Sequence, residues 1–547
     1  MSAPETAEMS QAAPVSGAAR TGEQSPAEQA AEHGTEQTTE PTNSGLFGRG
    51  LLYVVVWSLQ LLGSTIVSPI LAHLLGPTQF GSLATAIALY QVLSVVALLG
   101  LDQALVLQRA EDGDARDSRG LVAVAVVISF LVTALALLTS PIWGGALGFT
   151  AEPKLVILVI LWTGPSAAVQ VMLSLLIAED RLRTFSIVSV LSAVGGSFVG
   201  LILLVTIPGS DAITYAWGGV VCQFLAMFVG FAVTKPRIRG LWQWKVTGRA
   251  ITLGIPLALG SLAYFVLNAG DRVIVQRDLG ATEVGRYQVA YVVGSAVILL
   301  LNFTNSAWTP QFARLRSEVA RYALAMRSRD ELYRLLMPIT LAVTLVSPLA
   351  LRILAPASFK PNDLTLVVFI VALTAFPVAA SGATDRLLIV QRRGKTLGAL
   401  AGVAAVVNIA VNLVLVPIMG ITGAALATLV AYSVLAILQL RALRGWRRGS
   451  TGRRAATKPP WRGPSATITL MIFASVLVAG ASILLPQTLA WNLGRTAAAL
   501  ACLPWFLVRL RSARSAGDAT ESTSISDDSD GAPETPADVH TTGGTPA

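Results

Sequence analysis

The chain has 547 residues, of which 53% are hydrophobic and only 13% are charged, and its mean hydropathy is +0.64. In soluble proteins about a quarter of the residues are charged, so this composition excludes an ordinary soluble protein and indicates an integral membrane protein. The formal net charge is +9, but the core carries +22, because residues 1–45 and 515–547 each hold seven acids and together only one base.

The two ends of the chain differ in composition from everything between them. Residues 1–45 and 511–547 are rich in Ala, Ser, Thr, Pro, Gly and acids and lack aromatic residues. Such segments cannot bury enough apolar surface to offset their conformational entropy, so we expect disordered tails. The basic core is expected to face anionic lipid through its loops, and no nucleic acid partner is expected.

Runs of about 20 apolar residues predict 14 transmembrane helices in an all-α, polytopic membrane protein. The predicted spans lie near 50–74, 82–107, 120–140, 155–177, 186–207, 213–234, 250–276, 286–310, 335–355, 364–390, 397–416, 421–443, 466–485 and 489–509.

The distribution of Lys and Arg predicts the orientation of these spans. Loops after even-numbered spans, together with the two flanking segments, contain 31 of these residues, whereas the opposite side contains six. Because Lys and Arg concentrate in cytoplasmic loops, we expect a multi-pass protein of the cell membrane with both termini in the cytoplasm.

A repeated segment divides the chain into two similar halves. Leu75, Gly76, Thr78 and Gly81 reappear as LGATEVG from Leu279, each shifted by 204 residues, with about six spans between the copies. The sequence therefore predicts two parallel six-helix lobes arranged as a V, plus an appended helix pair. The predicted divisions are 1–45 (tail), 46–234 (N-lobe), 235–249 (basic connector), 250–443 (C-lobe), 444–465 (basic linker), 466–510 (spans 13 and 14) and 511–547 (acidic tail).

Span 7 carries the most conspicuous polar residues inside an apolar run. Asn268, Asp271, Arg272 and Gln276 are spaced to share one helical stripe. An ionisable side chain in hydrocarbon is costly unless it is paired or faces a wet cavity. The stripe therefore predicts a cavity wall that meets a substrate, with a self-neutralising Asp271–Arg272 pair or a snorkelling Arg as the alternatives.

Other spans add polar candidates for the same cavity. Span 8 has a polar face that includes Tyr287, Tyr291, Ser295 and Asn302, for which hydrogen bonding between helices is the alternative. Gln60 in span 1 and Asn408 and Asn412 in span 11 complete the predicted substrate-cavity residues.

Signals for an enzyme are poor. Gly394-Lys395-Thr396 lacks the earlier glycine and the strand of a phosphate-binding loop. The three His residues are scattered, so no metal site, catalytic residue or cofactor is predicted. Asp385 and Arg386 in span 10 are expected to neutralise each other.

Three segments resemble the polysaccharide-export and O-antigen flippase branch of the multidrug/oligosaccharidyl-lipid/polysaccharide exporter superfamily. They are LGPTQFGSLATAIALYQVLSVVALLGLDQALV from Leu75, DRVIVQRDLGATEVGRYQVAY from Asp271 and NIAVNLVLVPIMGITGAALATLVAY from Asn408. The resemblance implies a two-lobed transporter that moves a polyprenyl-diphosphate-linked oligosaccharide from the cytoplasmic to the outer leaflet by alternating access. It also implies a cationic cavity, which Arg272 matches most directly.

Two other functions stay open at this point. One is a lipid II or multidrug exporter of the same superfamily, and the other is a membrane-embedded polysaccharide polymerase or ligase. The short outer loops favour a transporter over an enzyme. The expected partners are the polyprenyl-linked substrate, the lipid bilayer and glycosyltransferases or a polymerase of the same pathway.

Overall fold

The computed structural model describes residues 43–112, 115–150, 152–315, 317–449 and 461–508. Side chains are described from residue 66 on, apart from 112, 115, 300, 302–311, 313, 314 and 444–449. The predicted disordered tails and most of the basic linker therefore lie outside the described residues. The described residues from Tyr53 onward form one compact unit.

The described part of the chain is helical and contains no strand. The first seven α-helices are α1 (Asn43–Leu98), α2 (Leu101–Asp112), α3 (Ala115–Trp143), α4 (Pro153–Ala178), α5 (Leu182–Val190), α6 (Gly196–Thr206) and α7 (Ala212–Thr234). A π-helical turn, Leu191–Gly195, joins α5 to α6, and a 3-10 helix, Ile238–Trp242, follows α7.

The remaining helices follow this connector. They are α8 (Trp244–Leu279), α9 (Ala281–Arg314), α10 (Glu318–Leu354), α11 (Thr365–Leu373), α12 (Ala375–Val390), α13 (Gly394–Met419), α14 (Ile421–Gly449), α15 (Ala466–Ile483) and α16 (489–508). Two short 3-10 helices, Ala357–Phe359 and Pro361–Leu364, connect α10 to α11.

All 14 predicted spans coincide with helices. The first span and most of the second lie on α1, and the second ends on α2. The fifth span is shared by α5 and α6, and the tenth by α11 and α12. Among the residues searched, eleven helices are long and apolar enough to cross a membrane. The helical membrane fold is thus confirmed, while the count of 14 stays a prediction.

Two equivalent glycines turn the chain in the two repeats. Gly76 breaks α1 with φ 69° and ψ 175°, and Gly280 separates α8 from α9 with φ 89° and ψ 170°. This region of backbone conformation strains any residue with a Cβ atom, so glycine is required at both positions. The repeated sequence therefore produces the same local turn twice.

The helices pack as two bundles. In the first bundle α4 packs on α2, α3 and α7, and α6 packs on α7. In the second bundle α13 packs on α8 and α14, α9 packs on α10 and α11, and α12 packs on α14. α15 packs on α10 and α11, which adds this helix to the second bundle.

The bundles meet closely where the two repeated turns lie. A Cβ atom at Gly81 would overlap the carbonyl oxygen of Ala281, and one at Gly285 would overlap that of Pro77. Only glycine permits helix backbones to approach this closely. One cluster of buried apolar residues runs through both bundles at this end, and its members include Leu83, Val159, Tyr215, Val284, Phe359 and Val371.

A second contact between the bundles lies further along α2 and α8. Gly100, with φ 71°, packs against the backbone of Gly254. The Gln103 amide donates to the Ser261 hydroxyl over 3.1 Å, and Arg249 pairs with Glu111 at 2.7 Å. The two bundles are therefore in contact near both ends of α8.

Candidate functional site: a polar network around Arg272

The centre of the candidate site is an ion pair between neighbouring residues of α8. Arg272 Nη1 lies 3.0 Å from Asp271 Oδ1, and the side chains are 8% and 1% exposed. Removing two charges from water is costly, and mutual attraction offsets this only when further hydrogen bonds complete the pair. The self-neutralising pair allowed by the sequence is therefore what the structure contains.

Two other helices complete the coordination of the Asp271 carboxylate. The Tyr287 hydroxyl on α9 donates to Oδ2 over 2.5 Å, and the Thr428 hydroxyl on α14 donates to the same oxygen over 3.4 Å. The Arg272 backbone N–H donates to Oδ1 over 2.8 Å. Charge-assisted hydrogen bonds of this kind stabilise the ionised carboxylate.

The Arg272 guanidinium is held by neutral groups as well. Its Nε donates to Gln288 Oε1 over 2.7 Å, and Nη1 donates to the Asn268 carbonyl oxygen over 2.8 Å. The guanidinium carbon lies 4.4 Å from the centre of the Tyr291 ring, a cation–π geometry. Arg272 is thus fixed in position by α8 and α9 before any ligand binds.

Asn268 connects this pair to an exposed part of α8. Its side chain is exposed and accepts a hydrogen bond of 2.7 Å from the Tyr432 hydroxyl on α14. The structure therefore brings together four of the predicted site residues, which are Asn268, Asp271, Arg272 and Tyr291. Their contact with a substrate stays a prediction.

The other predicted residues lie elsewhere. Gln276 is buried, accepts from Thr85 on α1 over 3.3 Å and donates to the Gly148 carbonyl over 3.2 Å. It thereby bridges the two bundles. Ser295 is half-buried, and within the described part of the chain its hydroxyl donates to the Val292 carbonyl of its own helix, over 3.4 Å.

Asn408 and Asn412 are fully buried on α13. The Asn412 amide donates to the backbone and side-chain oxygens of Asn408, over 2.9 and 3.2 Å. Among the described residues, Asn408 Nδ2 and Asn412 Oδ1 have no hydrogen-bond partner. Buried polar atoms without partners are rare and costly, so this pair calls for an explanation beyond packing.

Two of the predicted residues have side chains outside the described part of the structure. Gln60 lies on α1 and Asn302 on α9, and both side chains fall outside the described residues.

Sequence analysis placed Tyr287 on the polar face of span 8, but it missed three other residues that surround the ion pair, which are Gln288, Thr428 and Tyr432. Thr428 and Tyr432 are four residues apart in an apolar helix, and this spacing indicates a polar stripe. Nothing in the local sequence indicates which helix that stripe would contact.

Solved structures of transporters share this fold. One is a multidrug resistance MATE family transporter of the MOP superfamily in an inward-facing conformation. Its sequence is 14% identical, the match covers 73% of this chain and 99% of the other, and the TM-score is 0.54. The lipid II flippase MurJ in an inward closed conformation has 13% identity, 83% and 98% coverage and a TM-score of 0.53. The MATE transporter VcmN of Vibrio cholerae has 14% identity, 74% and 98% coverage and a TM-score of 0.51.

At these identities the similarity concerns the fold, which is that of MOP superfamily transporters. No curated protein matches the chain. The family model described as polysaccharide biosynthesis protein matches residues 70–362, more than half of the chain, including both repeated turns and the Asp271–Arg272 pair. The chain therefore belongs to the polysaccharide biosynthesis protein family.

Proposed function

We propose that this chain is a flippase, and not an enzyme, that moves a polyprenyl-diphosphate-linked oligosaccharide from the cytoplasmic to the outer leaflet by alternating access. The observation that carries the proposal is the preorganised Arg272 beside the exposed Asn268 within an apolar helix of a polysaccharide biosynthesis protein. Ionisable residues inside membrane helices mark substrate or ion pathways. A diphosphate is the headgroup chemistry that a fixed guanidinium recognises.

An apolar groove supports a substrate with a lipid tail. It has a volume of about 530 Å³ and lies between α9, α10 and α16. Residues that line it include Val293, Ala342, Val346, Ala499 and Phe506. A polyprenyl chain in this groove would remain in a lipid-like environment while the polar headgroup crosses hydrocarbon about 30 Å thick.

The two bundles and their repeated turns support alternating access. In parallel-repeat transporters one bundle rocks against the other around a central site. The contacts at Gly81–Gly285 and at Gly100–Gly254 are the points where such rocking would open the space between the bundles. We place the protein in the cell membrane with both termini in the cytoplasm, and we expect glycosyltransferases or a polymerase of the same pathway as partners.

The fold also supports a second transporter function, because a lipid II flippase and multidrug transporters match it about equally well. A membrane-embedded polymerase or ligase is the different-class alternative. If depletion arrests growth, and the defect is not limited to surface polysaccharide, lipid II would be identified as the substrate. Unchanged growth with increased drug sensitivity would identify drug export.

The test is the lipid fraction of a deletion strain. We expect lipid-linked repeat units of full length to accumulate on the cytoplasmic side and surface polysaccharide to disappear, with both effects reversed by the wild-type gene. Normal surface polysaccharide without accumulation would overturn the proposal. Accumulation of single repeat units at the outer surface would instead identify a polymerase or ligase.

A further inference from the structure

We propose that Asp385 on α12 is a proton-binding site and that its protonation drives the rocking of the second bundle. The site rests on the geometry of α8, α12 and α14, and its use in transport rests on the proposed flippase function. The ligand is a hydrogen ion.

The partners of Asp385 are all neutral. The Gln439 amide on α14 donates to Oδ1 over 2.5 Å, and the Tyr264 hydroxyl on α8 donates to Oδ2 over 3.4 Å. The Thr384 hydroxyl donates to Gln439 Oε1 over 2.7 Å and so fixes the orientation of that amide. No ion pair among the described side chains includes Asp385.

The expected neutralisation by Arg386 does not occur through an ion pair. Neighbouring residues point about 100° apart around a helix, and the Arg386 guanidinium lies over the Phe312 ring of α9, 5.8 Å from its centre. Around the Asp385 carboxylate, α8 therefore presents Tyr264 and α14 presents Gln439. Among the described side chains, the charged group that acts on this carboxylate is Arg386 on its own helix.

The contrast with Asp271 defines the chemistry of this site. Asp271 is held as a carboxylate by a guanidinium, whereas Asp385 has only an amide and a hydroxyl in the same bundle. An ionised carboxylate without a paired cation is costly in surroundings of low polarity, and binding a proton removes that cost. The Asp385 side chain is half-buried and not enclosed by the protein.

A stripe of hydrogen bonds connects Asp385 to the Arg272 network. Along α8, Tyr264, Asn268 and Asp271 lie on one face, four and three residues apart. Each contacts a different partner, namely Asp385, Tyr432 and Thr428. Protonation changes the hydrogen bonds that Asp385 can accept from Tyr264 and Gln439, and so alters the contact of α8 with α12 and α14 at one end of this stripe.

Infrared difference spectroscopy tests proton binding without any substrate. The full chain is reconstituted in phosphatidylglycerol–phosphatidylethanolamine vesicles, and the pH is stepped between about 5 and 9. We expect a protonated carboxyl C=O band that shifts in D₂O and is lost in Asp385→Asn. Asp363→Asn, at an exposed carboxylate paired with Arg286, serves as the matched control and should retain the band. A band that persists in Asp385→Asn, or a carboxylate ionised across the whole range, would overturn the proposal.

Transport is tested separately in the deletion strain. We expect Asp385→Asn to reduce surface polysaccharide about tenfold at all external pH values, and Asp385→Glu to restore it with a shifted pH profile. Wild-type pH dependence in Asp385→Asn would overturn the coupling role. If the infrared band is assigned to Asp385 but the deletion strain makes normal polysaccharide, the proposed function fails while the proton site stands.

Discussion

The side-chain oxygens of Thr78 and Thr282 lie 2.8 Å apart and form a hydrogen bond between equivalent positions of the two repeats, 204 residues apart. The glycines that follow each threonine by three residues, Gly81 and Gly285, pack against the opposite turn. The repeated turns therefore contact each other, and one end of the space between the bundles is closed by related sequences. Separation of the bundles at this end has to break this contact.

A disulfide between these two positions should lock the bundles together. We expect Thr78→Cys/Thr282→Cys to cross-link on mild oxidation, because the side-chain oxygens lie at hydrogen-bond distance from each other. Surface polysaccharide in the deletion strain should fall on oxidation and recover on reduction. The two single variants are the controls, since Cys222 and Cys502 are buried. Full export by the cross-linked protein would contradict a moving contact here.

A methyl group at Gly285 should disrupt the same contact. A Cβ atom there would overlap the Pro77 carbonyl oxygen, whereas Gly402 on α13 has nothing within 4 Å of the corresponding position. We expect Gly285→Ala to lower the free energy of unfolding by about 1–3 kcal/mol, as overpacking does. Gly402→Ala should not lower it, because the site has room for a methyl group and alanine favours the helix. Thermal unfolding in detergent measures both, and equal midpoints would refute the close approach.

Separate and joint replacement of Asp271 and Arg272 should distinguish their structural role from a role in export. Removal of one member of a buried pair costs about 3–5 kcal/mol because the other charge is left uncompensated. We therefore expect Asp271→Asn and Arg272→Gln to be strongly destabilised and the double variant to recover most of the loss. Surface polysaccharide should stay low in the double variant if Arg272 binds the substrate headgroup. Recovery of both stability and export would assign the pair a structural role alone.

Joint replacement of Asn408 and Asn412 should affect export but not stability. Replacement of both partners of a buried polar contact by apolar groups can be nearly neutral for stability. We expect the free energy of unfolding of Asn408→Leu/Asn412→Leu to lie within about 1 kcal/mol of the wild-type value. We expect export to be lost, since two amide atoms of this pair have no partner among the described residues. Calorimetry measures the stability of the double variant, and surface polysaccharide in the deletion strain that carries it measures export. Normal export would remove this pair from the candidate site.

Glu152, in the turn before α4, should make stability depend on pH. Burial raises the pKa of its carboxyl, the hydrogen bond from Ser82 opposes this, and the charge of Asp211 adds to the increase. A raised folded-state pKa favours the neutral acid, so this contribution is present at low pH and is lost as the pH rises through that pKa. We expect Glu152→Gln to be more stable than wild type at neutral pH, with the difference shrinking as the pH falls towards 4. Melting temperatures across this range provide the measurement, and a difference independent of pH would contradict it.

The sequence alone determined the helices and the repeats, because both depend on local composition. An apolar run of about 20 residues is long enough to cross a membrane whatever its neighbours are. Gly76 and Gly280 impose the same turn through their own backbone conformations. The Asp271–Arg272 pair could also be predicted from the sequence, because its members are adjacent in the chain.

Only the tertiary structure decided which distant side chains complete these contacts. Tyr287 and Thr428 reach Asp271 from two other helices, and Gln276, which shares the stripe of Asn268, instead bridges the bundles. Asp385 contacts Gln439 rather than its neighbour Arg386. The periodicity of a helix shows which residues share a face, but the packing of one helix against another determines which partners that face contacts.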